Sequence, residues 1–116
     1  MKSIIIAEDS KEFGSLVTFI IEKFNGIRVV GFANDGTELL RMVDAQPPDF
    51  ILADIVMPGI NGIEATRIIK QKHPSVRVFV MSSFDNRQYR EGALVAGAEI
   101  FIPKDNLQET LEKLFS

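Results

Sequence analysis

Five side chains able to do chemistry stand where apolar runs of this sequence stop. Glu8 and Asp9 follow Ile4-Ile5-Ile6-Ala7, and Asp54 closes Phe50-Ile51-Leu52-Ala53. Ser82 follows Val78-Phe79-Val80-Met81, and Lys104 lies just past Ile102-Pro103. Three carboxylates brought within a few ångströms repel one another unless they are protonated or bridged by a cation. Oxygen-only donors with open positions suit Mg²⁺, which takes few protein carboxylates and keeps room for waters and a phosphate. A cation there would neutralise an incoming phosphoryl group, and an aspartate can attack such a group to give an acyl phosphate. Lys104 would offer a cation to a phosphate oxygen, and Ser82 a hydroxyl donor. The set suffices for phosphoryl transfer onto Asp54, the lone carboxylate of its apolar run.

The elements that must hold these groups read as an alternation. Ser3 to Ala7 reads as a buried strand, with Ser10 able to cap a helix whose apolar positions are Phe13, Leu16, Val17, Ile20, Ile21 and Phe24. Asn25-Gly26 ends it, and Ile27 to Ala33 forms a second strand. Asn34-Asp35-Gly36 starts a helix marked by Leu39, Leu40 and Val43, which Pro47-Pro48 terminates. The central strand, Phe50 to Asp54, is broken by Pro58-Gly59. Asn61-Gly62 then leads into a helix with Ile63, Ile68 and Ile69 inward, ending near His73-Pro74. Val76 to Met81 is a fourth strand, and a helix from Asn86 to Ala96 stops at Gly97. Glu99 to Ile102 is a short fifth strand, followed by a helix carrying Leu107, Leu111 and Leu114. Five strands alternating with five helices predict a parallel sheet covered on both faces, with right-handed crossovers. Function in such sheets gathers beyond the carboxyl ends of the strands, where all five side chains fall. Phe19, Phe24, Phe50 and Phe79 are expected in the core, and Met42, Met57 and Met81 as packing residues.

Bulk properties set the frame. The 116 residues, 46% hydrophobic and 25% charged, fit one domain with one core. A net charge of −3 carries no basic footprint for nucleic acid, and the absence of cysteine excludes disulfides and thiolate metal sites. The N-terminal apolar run meets Glu8-Asp9 too soon for a signal peptide or a membrane span, and cytoplasmic residence is the expectation.

In order and in register, the motifs Ile6-Ala7-Glu8-Asp9, Asp54-Ile55-Val56-Met57-Pro58-Gly59-Ile60-Asn61-Gly62, Val80-Met81-Ser82-Ser83, Ala93-Leu94-Val95-Ala96-Gly97-Ala98 and Pro103-Lys104 resemble the receiver domains of bacterial two-component response regulators. The resemblance covers the chain from about Ser3 to its end, as a single receiver domain over residues 1–116. It implies the flavodoxin-like, doubly wound (βα)5 fold with strand order 2-1-3-4-5, an order that periodicity cannot supply. It implies Asp54 as phosphoacceptor, and Glu8, Asp9, Asp54 and the backbone carbonyl of Val56 as holders of Mg²⁺. Lys104 becomes the phosphate-binding cation, Ser82 the switch hydroxyl and Phe101 the switch aromatic. The implied partners are a histidine kinase or phosphotransfer protein as donor, and a downstream effector or a second copy through the fourth helix, fifth strand and fifth helix. Val95, with Tyr89 and Phe101, would belong to that surface. No direct contact of this domain with nucleic acid or membrane is expected, nor turnover of a separate substrate.

Two departures from common receivers stand out. Phe101 lacks the hydroxyl of a switch tyrosine, and Pro103 precedes Lys104 where many relatives carry a proline after the lysine. The second arrangement is similar to receivers that precede a helix-turn-helix DNA-binding domain. With the chain ending at Ser116, both a stand-alone receiver and the receiver half of a longer regulator remain open. Rival readings fit less well. A flavin binder of this topology needs a phosphate-cradling loop where Glu8-Asp9-Ser10-Lys11-Glu12 stands, and a phosphatase using Asp54 needs a carboxylate where Val56 stands. A receiver-like module that binds partners without phosphorylation is the alternative.

Overall fold

The computed structural model describes residues 1–116. Its elements are β1 (Lys2–Ala7), α1 (Lys11–Ile21), β2 (Ile27–Ala33), α2 (Gly36–Ala45), β3 (Phe50–Asp54) and α3 (Gly62–Lys72). They continue with β4 (Arg77–Ser82), α4 (Arg87–Ala96), β5 (Ile100–Pro103), a single 3₁₀ turn (Lys104–Asn106) and α5 (Leu107–Phe115). The strands form one sheet in the order β2-β1-β3-β4-β5, every pair parallel, as expected.

Strand alternation divides the core into two layers. Ile5, Ala7, Ile51, Ala53, Val78, Val80 and Phe101 face one side and pack with Leu39 and Val43 of α2, Ala65 and Ile69 of α3, and Ala93 of α4. Ile4, Ile6, Leu52, Phe79, Met81 and Ile102 face the other, under Val17, Ile20 and Ile21 of α1 and Leu107 and Leu111 of α5. All five residues of β3 are buried, as its central place in a sheet covered on both faces requires.

Four helices start on a side-chain cap at the edge where the strands end. Ser10 Oγ accepts from Phe13 N (3.2 Å), Asp35 from Glu38 N (2.8 Å), Asn61 from Glu64 N (2.9 Å) and Asn86 from Tyr89 N (2.8 Å). Each satisfies a backbone donor that a helix start leaves unpaired.

Several sequence expectations are corrected. Phe19, expected in the core, is 61% exposed, with the Lys23 ammonium 4.4 Å from its ring. Leu16 is half exposed as well. The 3.6-residue period turns Gly14, Val17 and Ile21 inward, so the apolar stripe of α1 is broader than the surface it covers. Phe24 lies beyond the helix end, half-buried against Phe115. On α3 the fully inward positions are Ala65, Thr66 and Ile69, and Ile68 is only half-buried. Phe50 and Phe79 are core as expected, stacked at 5.7 Å, with Phe115 edge-on to both. His73 caps α3 and meets Asp44 at the surface.

Away from the strand ends that carry the acids, two ties join the sheet. Ser3 N–H donates to Asp49 Oδ2 (2.8 Å), and Asp49 N–H returns a bond to Ser3 Oγ (3.1 Å). Arg77 Nε donates to Glu99 Oε1 (2.8 Å). The Ser3 backbone bond holds the Asp49 carboxyl below its ordinary 3.8, and the Arg77 bond holds Glu99 below 4.5. A carboxyl depressed in the folded state stabilises above its unfolded value, and that contribution disappears as pH falls through the folded value. Thermal melts are therefore expected to hold their midpoint down to about pH 4.5 and to decline below it, and Asp49→Asn should flatten the lower part of the decline. Parallel acid profiles for the two proteins would count against the Asp49 contribution.

Candidate functional site

β1 and β3 end side by side, their last paired residues being Ala7 and Ala53, so the acids that follow share one edge. Asp54 is the last residue of β3 and pairs with Met81 of β4; Ser82 closes β4 and pairs with Pro103 of β5, which Lys104 follows. The structure thus brings Glu8, Asp9, Asp54 and Lys104 around one cleft of about 290 Å³, completed by Ser10, Val56, Ser83 and Phe84. A larger hollow of about 440 Å³, lined by Ser3, Arg28, Gln46 and Pro47 among others, holds no converging acids.

Lys104 organises the cleft. Its Nζ donates to Asp54 Oδ2 (2.8 Å) and to Glu8 Oε1 (2.9 Å). Both acids are buried, Glu8 at 1% and Asp54 at 5% exposure. Burial works against the lysine's charge, but its bonds to Asp54 and Glu8 outweigh it and hold the ammonium above its ordinary 10.5. The remaining oxygens are used as well: Glu8 Oε2 accepts from Ser10 N (3.0 Å), and Asp54 Oδ1 from Val56 N (3.1 Å). Asp9 is exposed at the rim.

One ligand atom each from Glu8, Asp9 and Asp54 lies within 4.8 Å of the others, so the three could hold a metal ion. The donors are carboxylate oxygens alone, a hard set that fits Mg²⁺ or Ca²⁺ and not a thiophilic ion.

Ser82 sits differently from the other predicted residues. It is fully buried, and its Oγ accepts from Phe84 N (2.9 Å). The side chains of that loop that line the cleft are Ser83 and Phe84. Phe101 is buried at 5% exposure, with the Arg90 guanidinium 4.8 Å from its ring. Ser10 and Ser83, expected only as a helix cap and as part of a motif, and Phe84, not expected at all, are cleft residues as well. Their one signal is position, immediately after strands whose ends carry chemistry.

The loop after β3 is pinched shut by the Gly62 N–H, which donates to Ile55 O (2.8 Å). A Cβ at residue 62 would lie 2.3 Å from the Asp54 carbonyl oxygen and 2.9 Å from Ile55 Cα, both backbone atoms. Gly62→Ala is accordingly expected to destabilise by about 3 kcal/mol, the upper range for overpacking, because the obstruction cannot rotate away. A urea midpoint equal to wild type would show that this loop yields.

A doubly wound parallel sheet with an acidic, lysine-bridged cleft at its carboxyl edge defines a class of α/β domain. Residues 4–116 match the model of the response regulator receiver domain, and the chain belongs to that family. It is 36% identical over 102 residues to the transcriptional regulatory protein DegU of Brevibacillus brevis, covering 88% of this chain and 43% of that protein. It is 33% identical over 113 residues to a protein-glutamate methylesterase/protein-glutamine glutaminase of Clostridium acetobutylicum, covering 96% of this chain and 33% of that protein. The chain therefore spans less than half the length of these two relatives. Among solved structures, the signal receiver domain of the putative response regulator NarL from Mycobacterium tuberculosis superposes with a TM-score of 0.91 at 27% identity, covering 97% of this chain and 91% of that one.

Proposed function

We propose that this domain is a phosphorylation-activated switch whose acceptor is Asp54. The observation that carries the reading is the pair of buried carboxylates, Glu8 and Asp54, bridged by one lysine beside the exposed Asp9. The donor is a phosphohistidine of a partner kinase or phosphotransfer protein, or a small acyl phosphate. An Asp54 carboxylate oxygen forms the new P–O bond as the bond to the leaving group breaks, and the leaving group takes the electron pair. Glu8, Asp9, Asp54 and the Val56 carbonyl would hold Mg²⁺, which supplies charge neutralisation for the phosphoryl oxygens. Lys104, released from Asp54 Oδ2, donates to a phosphoryl oxygen. The Ser82 oxygen already accepts from Phe84 N–H, which leaves its hydroxyl hydrogen to turn toward the new group. A movement of the whole Ser82 side chain toward that group would break the bond from Phe84 N–H and so loosen the post-β4 loop and the layer holding Phe101.

The output is a shift between two packings of α4 and β5, biased by phosphorylation through its different contacts with each. Val95, 87% exposed on α4, marks the face that meets an effector or a second copy. The named relatives include a transcriptional regulator and a methylesterase, and we propose the former output, in a cytoplasmic protein. No helix is long and apolar enough to cross a membrane.

The test is intact mass after incubation with acetyl phosphate, with Mg²⁺ and with the metal chelated, then with a histidine kinase. A gain of one phosphoryl group that needs Mg²⁺ is expected. No gain from either donor, in folded protein, would favour a module that binds partners without phosphorylation.

A further inference from the structure

Lys104 has a third neighbour that is neither acid nor part of the cleft wall. Its Nζ lies 4.3 Å from the centroid of the Phe13 ring. The ammonium has three donors, and two are taken by Glu8 and Asp54. Phe13 is itself fixed by a closed circuit of contacts. Glu8 Oε1 receives Lys104, Glu8 Oε2 receives the Ser10 N–H, Ser10 Oγ receives the Phe13 N–H, and the Phe13 ring returns to Lys104. The ring therefore reports to the same carboxylate that the lysine holds.

We propose that Phe13 is a positioning residue for Lys104, keeping its ammonium over the cleft when the carboxylates are engaged elsewhere. The proposal rests on the phosphoacceptor reading of Asp54. Glu8 and Asp54 are needed both by the lysine and by a divalent ion, so ion binding withdraws the acceptors that hold the lysine in place. A free lysine has a flexible four-carbon stem and would swing to water. An aromatic face attracts the cation through its quadrupole but uses up no N–H donor. It can thus retain the ammonium and leave all three donors for an arriving phosphoryl oxygen. An acid in that position would compete with the phosphoryl group, and an aliphatic side chain would not hold the charge.

The test compares Phe13→Leu, which removes the π face but keeps apolar bulk, with Phe13→Tyr, which keeps the face. The Lys104 ε-methylene protons, assigned by their loss in Lys104→Met, are expected upfield of ordinary lysine in wild type through the ring current. They should remain upfield when MgCl₂ is added. In Phe13→Leu they should return to the ordinary position with MgCl₂ present, and uptake from acetyl phosphate should slow roughly tenfold, the scale of a desolvated cation–π contact. Phe13→Tyr should restore both. ε-Proton shifts that ignore Phe13→Leu, or uptake slowed equally by Leu and Tyr, would reduce Phe13 to packing. Should wild type take up no phosphoryl group, the phosphoacceptor reading fails while the proton shifts still decide the contact.

Discussion

Asp54→Asn is expected to abolish Mg²⁺-dependent phosphoryl uptake, leaving less than about a thousandth of the wild-type rate, while the fold survives. The asparagine carbonyl is a poor nucleophile, and no neighbouring group can replace it. Glu8 is buried with both oxygens committed, and Asp9 lies out at the rim. Asparagine can keep only one of the two Asp54 contacts. Its Oδ1 can accept from Val56 N or from Lys104, and its amide nitrogen then faces a donor. That mismatch is offset by the removal of one of three crowded negative charges, so the net change in stability should be small. Mass spectrometry of the variant after acetyl phosphate treatment, beside urea melts, checks both halves. Phosphoryl uptake that persists at the wild-type rate would move the acceptor to another residue.

Lys104→Met should have the largest effect on stability of any change in the cleft. Methionine fills a similar volume but leaves Glu8 and Asp54 buried together without a cation. Removing one partner of a buried ion pair costs about 3–5 kcal/mol, and the open side of this cleft argues for the lower end. The loss should shrink when MgCl₂ is added, because an ion that binds only the folded state adds about 2.7 kcal/mol at a hundredfold excess over its dissociation constant. Adding Asp54→Asn to Lys104→Met should also recover much of it, since only Glu8 then lacks a partner. Urea midpoints for the two single variants and the double variant give the coupling directly. Additive effects would mean that the bridge contributes little.

Much of the fold was legible because strands buried on both faces read as short apolar runs between capped helices, and the acids, serine and lysine sat at the ends of those runs. Strand order was not legible from periodicity, since a strand reads the same at an edge or in the centre, and it came only with the family resemblance. Phe19 was misplaced because α1 is apolar over more of its circumference than the sheet covers. The residues around Ser82 were ambiguous for another reason. Every residue of β4 after Arg77 is buried, so alternation carries no contrast to tell which hydroxyl turns inward and which side chain meets the cleft. The contact of Phe13 with Lys104 joins the first helix to the turn before the last one, a separation that no local pattern encodes.

The strand order also bears on how the chain can assemble as it is synthesised. β2 pairs with β1, β3 with β1, β4 with β3 and β5 with β4. Each strand emerging from the ribosome therefore meets an edge already made, and no segment waits unpaired for a later one. The α2–α3–α4 layer can close in the same progression. The opposite layer cannot, because Val17 and Ile21 share their cluster with Leu107 and Leu111, and Phe50 and Phe79 meet Phe115. Until α5 has emerged, the part of that face that α1 does not reach stays uncovered, and it is the surface a chaperone would have to shield.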